Sequence, residues 1–387
     1  MERLLLTNTT LRTSRQTIEN CSIICDEGLV VRISEKPEEP EEHGRVINCA
    51  GLTVTPGFID LHVHGFGGRD SREGSLDAIE AMAQTYTKFG VTSLLITLTV
   101  LSAENLQKSA AAVSQAANQT GLRANVLGVH LEGPFLNPKY KGGIFGGGLT
   151  APSIDVLREY AGYCNGTLRN MTLAPELDGS EAVIDELLRK GIIPSMGHSG
   201  ATYEEARRAI SQGCKYAVHL FNGMPPIAGR DPGIAGAALY EHDCCVELIA
   251  DGHHVSIANV LAALKLKPSS KICLVTDSCR ASGTDLSGFD NPSGFHVEIR
   301  DGRTWGPEGK LVGSVLTLDA AVRNLLAWSP LTLNEVLSFV TENPAIQLGL
   351  YPKKGDIRPG SDADITILDR TNSVVHTIVG GRLVYSR

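Results

Sequence analysis

The chain has no CxxC pair, no apolar run approaching the roughly 20 residues of a membrane-spanning helix, and no surplus of basic residues. Without a CxxC pair or an even framework, the nine scattered cysteines, of which only Cys244 and Cys245 are adjacent, read as reduced thiols of a cytosolic protein. The start MERLLLTN has no basic segment leading into an apolar stretch of signal-peptide length, so the expected location is the cytoplasm. A formal charge of −8 argues against a nucleic-acid surface, because phosphate backbones demand clustered Lys and Arg. An anionic small molecule would then need a local cationic pocket. The glycine-rich stretch Gly142 to Gly148 lacks the GK[ST] ending of a phosphate loop. It reads as a mobile loop, either a lid or a linker.

What is present is 387 residues, 42% hydrophobic and 20% charged, with 41 glycines. That length and composition suit a (β/α)8 barrel carrying one accessory module. Short strands are expected at Leu4 to Thr7, Ser22 to Cys25, Leu29 to Ile33 and Val46 to Asn48, and again at Asp364 to Leu368 and Val374 to Val384. Residues 1–55 and 356–387 are therefore expected to form one small β-sandwich domain, with the acidic stretch Glu35 to Glu42 as a solvated loop. Between them, strand-like runs alternate with helical stretches such as Ser75 to Phe89, Ala103 to Thr120 and Thr202 to Gln212, which implies parallel strands with helical crossovers over residues 56–355. Eight runs can be counted, the number that closes a barrel; a doubly wound open sheet is the alternative. A hairpin, Phe295 to Arg300 paired with Gly309 to Val312, is expected as an insertion after the eighth.

Polar, metal-competent side chains sit at the C-terminal ends of these runs, where a parallel barrel keeps its chemistry. His62 and His64 share one face of a strand by its period of two and could grip one ion together, or be a pair of hydrogen-bonded core histidines. Glu132 stands where a buried strand breaks into a loop, costly unless it meets a cation. With His198 and His219 it makes a two-imidazole, one-carboxylate set that leaves a position open for water. Asp277 follows Leu274, Val275 and Thr276 and is the candidate general base, although an aspartate there is often a helix N-cap. Arg230 and His254 are candidate anion and hydroxyl contacts, with Asn222 beside His219. Lys139 and Lys141 read as solvated, and His43, His242, His296 and His376 carry no partner pattern. The ligand chemistry admits Zn, Fe, Mn or Co, as one ion or two.

The phrases GLTVTPGFIDLHVHG from Gly51 and NPAIQLGL with KGDIRPGSDADITILD from Asn343 resemble the two ends of the amidohydrolase superfamily. HLEGPFLNP from His130, TLAPE from Thr172, GHS from Gly197, HLFNGM from His219, ADGHHV from Ala250, LVTD from Leu274 and LVGS from Leu311 are similar to its N-acetylglucosamine-6-phosphate deacetylase branch. The resemblance implies a barrel with a β-sandwich, a homodimer, and hydrolysis of the acetamide of a 6-phosphorylated amino sugar. It makes Glu132, His198 and His219 ligands of the main divalent ion, His62 and His64 ligands of a second, and Asp277 the acid/base. It implies substrate contacts at Gly143, Asn222, Gly223, Arg230, His254, Leu311, Val312 and Gly313, some of them across the dimer. The chain departs from the pattern in two places. Where the family has Lys-Gly-Ala-His, it reads Lys141, Gly142, Gly143, Ile144, with no histidine between Glu132 and His198; and Ser278, Cys279, Arg280 follow the aspartate, so a cation is expected near the site. A related amidohydrolase acting on another N-acyl amino sugar or sugar phosphate is the alternative.

Overall fold

The computed structural model describes residues 3–38, 44–99, 102–121, 123–145 and 148–387. Residues 39–42 of the acidic stretch, His43, and Gly146 and Gly147 of the glycine-rich loop lie outside the described residues. Eight parallel strands run side by side in chain order: Phe58–Val63, Val91–Thr99, Asn125–Glu132, Leu168–Leu173, Ile193–Met196, Tyr216–Ala217, Cys245–Leu248 and Ile272–Leu274. They are the eight runs expected from sequence. Their burial is nearly continuous, as strands covered on both faces require.

The last strand meets the first in two stages. At the upper end, Asp277 N donates to His62 O (3.0 Å) and His64 N to Ser278 O (3.1 Å). Lower down, another part of the chain bridges the seam: Ile59 N donates to Val340 O (2.7 Å) and Leu274 N to Phe339 O (2.9 Å). The side chain of Asp60 laces the same seam, accepting from Thr276 N (3.3 Å) and Thr276 Oγ1 (2.6 Å). Burial raises its pKa to about 7 against the opposing pull of those bonds.

The helices begin where the sequence supplies caps. Thr202 accepts from Glu205 N while the Glu205 side chain returns to the Thr202 backbone, a reciprocal arrangement worth about 1 kcal/mol to a helix start. The expected helices are present, and further ones at Ile154–Tyr163, Gly233–Tyr240 and Ile257–Leu266 complete the outer ring. The second is buried at every residue but its last, so it has no polar stripe to reveal its period.

The terminal strands pair into one eight-stranded mixed sheet with its own core of Leu4, Leu6, Cys21, Ile23, Ile365 and Ile367, residues spaced by two along their strands. It joins Leu4–Arg12 to Thr53–Pro56, a short strand unforeseen in the sequence, and to Ile365–Leu368. The insertion after the eighth barrel strand corrects the expected pairing: Phe295–Arg300 pairs with Gly288–Asn291 and Arg303–Trp305, while Gly309 to Val312 touches it only through a single bridge between Trp305 and Leu311. The tight turn at Asp301 and Gly302, both at positive φ, lets the chain reverse before Gly309 is reached. All nine cysteines are free and buried. No described helix is long and apolar enough to cross a membrane.

Candidate active site

Three site residues leave their strands in the left-handed region: His198 and Asp277 at φ 47°, His219 at φ 31°. Non-glycine residues avoid this region, and strained backbone of this kind collects at functional sites, each instance costing on the order of 1–3 kcal/mol. The strain turns side chains from successive strand ends inward around Glu132, which ends the third strand.

Glu132 Oε1 lies 3.0 Å from both His198 Nε2 and His219 Nε2, and these two nitrogens are 3.1 Å apart. On its other side, His62 Nε2 is 3.4 Å from Oε1, and His64 Nε2 is 3.5 Å from Oε2. His62 Nε2 and His64 Nε2 are 3.2 Å apart, and Asp277 Oδ1 lies 3.3 Å from the latter. Two groups, His62–His64–Glu132 and Glu132–His198–His219, thus bring their ligand atoms within 4.8 Å of one another.

Hydrogen-bond chemistry tests whether a cation fits. His198 Nδ1 is 3.0 Å from the Tyr140 carbonyl oxygen, which can only accept, so the ring proton belongs on Nδ1. Neutral His198 then turns an Nε2 lone pair toward a carboxylate oxygen, acceptor against acceptor. A divalent ion among these atoms removes the conflict, and the His and carboxylate donors suit one. In the bare site the surplus of acceptors draws protons: burial works against the charged imidazole, but Glu132 outweighs it and raises His198. Burial would likewise raise Glu132, yet His198 and its neighbours hold it well below the usual carboxylate range. Asp277 is held low in the same way by His62 and His64.

His130, quoted in the sequence motif, behaves differently. It is fully buried, its ring nitrogens reach the hydroxyls of Thr97 (3.2 Å) and Thr172 (2.7 Å), and burial drives its pKa well down. Hydroxyls donate or accept as needed, so this is a satisfied core histidine.

A cavity of about 450 Å³ opens onto the cluster, within the range of small-molecule sites. It is lined by Gly143, Asn222, Gly223, His254, Leu311, Val312, Gly313 and Asp277, all expected from sequence. The loop from Tyr140 to Phe145 packs so closely that a Cβ on Gly143 would stand 2.8 Å from Leu311 O. His254 Nδ1 bonds Asp251 Oδ2 at 2.6 Å, and its ring also lies against the Gly313 backbone. Burial lowers His254, but Asp251 prevails and raises it.

Two of the expected cations do not line the cavity of this single chain. Arg280 binds Glu73 Oε1 at 2.8 Å and does not line the cavity, because the salt bridge holds its guanidinium behind the wall. Arg230 is exposed and absent from the lining of this single chain. The arginine in the wall is Arg72, paired with Asp70 through two bonds of 2.8 Å and reaching Asn291 and Ser293 of the insertion at 3.2 Å each. Lys139 and Lys310 also line the cavity, the latter 5.8 Å from the Phe145 ring centre. Glu176, the last residue of TLAPE, is a further clamp: it accepts from Gly200 N (2.6 Å), Ser199 Oγ (2.7 Å) and Asn137 Nδ2 (2.9 Å), tying two rim loops around His198.

Comparison with known proteins adds to this geometry. Residues 53–384 match the model of the amidohydrolase family. An N-acetylglucosamine-6-phosphate deacetylase of Bacillus subtilis is 31% identical, over 99% of this chain and 98% of the relative. An N-acetylgalactosamine-6-phosphate deacetylase of Escherichia coli O157:H7 is also 31% identical, over 92% and 93%. The crystal structure of an N-acetylglucosamine-6-phosphate deacetylase from Pasteurella multocida superposes with a TM-score of 0.92 at 31% identity, covering all of both chains.

Proposed function

The chain belongs to the amidohydrolase family, and on that premise we propose that it hydrolyses the N-acetyl group of N-acetylglucosamine 6-phosphate to glucosamine 6-phosphate and acetate. The observation that carries the reading is the convergence of Glu132, His198, His219 and Asp277 on the floor of one cavity, together with full-length relatives of that activity.

Glu132, His198 and His219 would hold a divalent ion, and His62 and His64 with Glu132 would hold a second. When bound, such an ion polarises the amide carbonyl and makes a nearby water acidic enough to act near neutral pH. Asp277, on the cavity floor and held in its charged form, takes a proton from the attacking water and passes it to the amide nitrogen as the C–N bond breaks. The second proton of that water is taken up by the amine or by solvent, so the products are acetate and the protonated amine, and atoms and charge balance with one water consumed. His254, its Nδ1 held by Asp251 and its pKa raised, donates from Nε2 to substrate oxygen as the imidazolium. Gly143, Asn222, Gly223 and Leu311 to Gly313 shape the sugar's enclosure. Zn, Fe, Mn or Co would all suit these donors.

Arg230 serves the site of a second copy in a homodimer, a reading supported by its exposure here and its absence from this chain's cavity. The division into a β domain, residues 1–55 and 356–387, and a catalytic barrel, residues 56–355, is part of the proposal. So is a cytoplasmic location, supported by nine free cysteines.

A second substrate is favoured by one observation. Ile144 stands in the cavity wall where the family pattern has histidine, and a relative of equal identity acts on the galactosamine isomer. Acetate release from the N-acetylated glucosamine, galactosamine and mannosamine 6-phosphates, beside the unphosphorylated sugar, separates the readings. Preference for the glucosamine phosphate is expected; turnover of another isomer alone would refute the assigned substrate and keep the reaction class.

A further inference from the structure

Glu247 lies inside the barrel on the seventh strand, within the run Cys-Val-Glu-Leu, and has no exposed surface. A carboxylate there is costly, and no lysine or arginine compensates it among the described ion pairs. Its Oε2 accepts from His62 Nδ1 at 2.8 Å and from the His219 backbone N–H at 3.1 Å, and the buried Tyr216 hydroxyl lies beside the same carboxylate. Resting on the reading of a metal-dependent amidohydrolase, we propose that Glu247 is a positioning residue that fixes His62 so that His62, His64 and Glu132 hold a second divalent ion beside the first.

A carboxylate on Nδ1 fixes the imidazole tautomer: the proton stays on Nδ1 and the lone pair on Nε2. That lone pair faces two carboxylate oxygens, Glu132 Oε1 at 3.4 Å and Asp277 Oδ1 at 3.7 Å, with His64 Nε2 at 3.2 Å. A lone pair set against two carboxylate oxygens calls for a cation. His130, whose ring edge meets the His62 ring at 4.8 Å, is the internal control. A histidine kept for packing in this barrel is satisfied by hydroxyls, as His130 is by Thr97 and Thr172, and has no buried carboxylate behind it. His62 carries a carboxylate on Nδ1, whereas His198 has a carbonyl there and His219 Nδ1 has no hydrogen-bond partner among the described residues. The bond to His219 N–H gives Glu247 a possible purely structural role at the first ion, and the two roles predict different losses.

The test is zinc binding to chelator-stripped full-length protein, read as zinc per chain and as separate affinities, for wild type, E247Q and E247A. Two zinc ions are expected per wild-type chain. E247Q keeps an acceptor for both N–H groups and loses only the charge, so the second affinity falls about 10-fold and the first is unchanged; E247A, which frees the ring, loses about 100-fold at the second. Equal weakening of both ions would assign Glu247 a structural role through His219 and overturn the proposal. So would an unchanged second affinity, or one zinc per wild-type chain. Thermal melts of the stripped proteins identify a variant that fails to fold, and E247Q, which preserves volume, decides if E247A does. Acetate release from the same samples is scored separately: failure on every amino-sugar phosphate with intact stoichiometry would sink the substrate reading and leave this proposal standing.

Discussion

The floor of the cavity and its outer wall are built on different terms. The floor is made of residues at or just past the ends of parallel strands: Glu132, paired with the strands on both sides, Asp277, whose backbone bonds His62 O and Ser314 N, and His198 and His219, whose backbones are held by Asn137 N and by Glu247; the last three are at positive φ. The wall is made of segments between strands: the loop Tyr140 to Phe145, the turn Leu311 to Gly313, and the insertion, pinned by Arg72. On the proposed reading the floor carries the bond-breaking chemistry and the wall meets the rest of the substrate, with Ile144 standing in it. A barrel can change substrate at its loops because its reacting groups are anchored to the sheet.

The largest expected effect tests the floor. Asp277→Asn keeps the shape and removes the base, so kcat should fall by about 10²- to 10⁴-fold while metal content stays at the wild-type level. Metal analysis beside steady-state turnover checks both halves.

Next in size is a change where wall and floor touch. A Cβ on Gly223 would stand 2.7 Å from His198 Nδ1 and 3.1 Å from Tyr140 O, and the backbone there has φ +60°. Gly223→Ala should therefore push His198 off the Tyr140 carbonyl, weaken metal binding and cost about 100-fold in kcat/KM, the scale of a one-ångström misplacement. Wild-type kinetics in that variant would mean the floor tolerates movement of the wall.

A change confined to the wall should be milder. Ile144→His restores a hydrogen-bonding side chain at a position lining the cavity. About a 2- to 10-fold change in kcat/KM between the glucosamine and galactosamine phosphates is expected, with metal content unaffected. A collapse of kcat on every substrate would break the distinction between wall and floor.

The smallest effect lies away from the cavity, where the turn holding Ser14 and Arg15 docks on Glu342 of the barrel. Burial would raise the Glu342 carboxyl, but Arg15 and Ser14 prevail and lower it. The unfolded chain then binds more protons, so this contribution is complete above the ordinary glutamate range and is lost as pH falls through the lowered value. Arg15 is 64% exposed, which limits the contribution to about 1 kcal/mol or less. Wild type should lose slightly more melting temperature than Glu342→Gln between pH 6 and pH 4; identical slopes would remove the linkage.

The floor was also the legible part of the sequence. Buried strands are compact apolar runs, and a polar residue ending one stands out, so His198, His219 and Asp277 could be named from pattern alone. Glu247 could not, because it lies within such a run and its role depends on His62, 185 residues away. Arg72 was hidden among ordinary surface-like charges; what identifies it is Asn291 and Ser293, brought by an insertion whose strand pairing the sequence reading assigned wrongly. The helix Gly233–Tyr240 escaped because a helix buried at every residue but its last has no amphipathic period, and the seam residues Phe339 and Val340 act through backbone atoms that side-chain pattern does not report.

The most direct test of the central claim is acetate release from N-acetylglucosamine 6-phosphate by chelator-stripped protein, before and after a divalent ion is added back. Loss of turnover on stripping and its return with the ion is the predicted result. Full turnover by protein verified to be metal-free would contradict a hydrolytic metal centre at Glu132, His198 and His219.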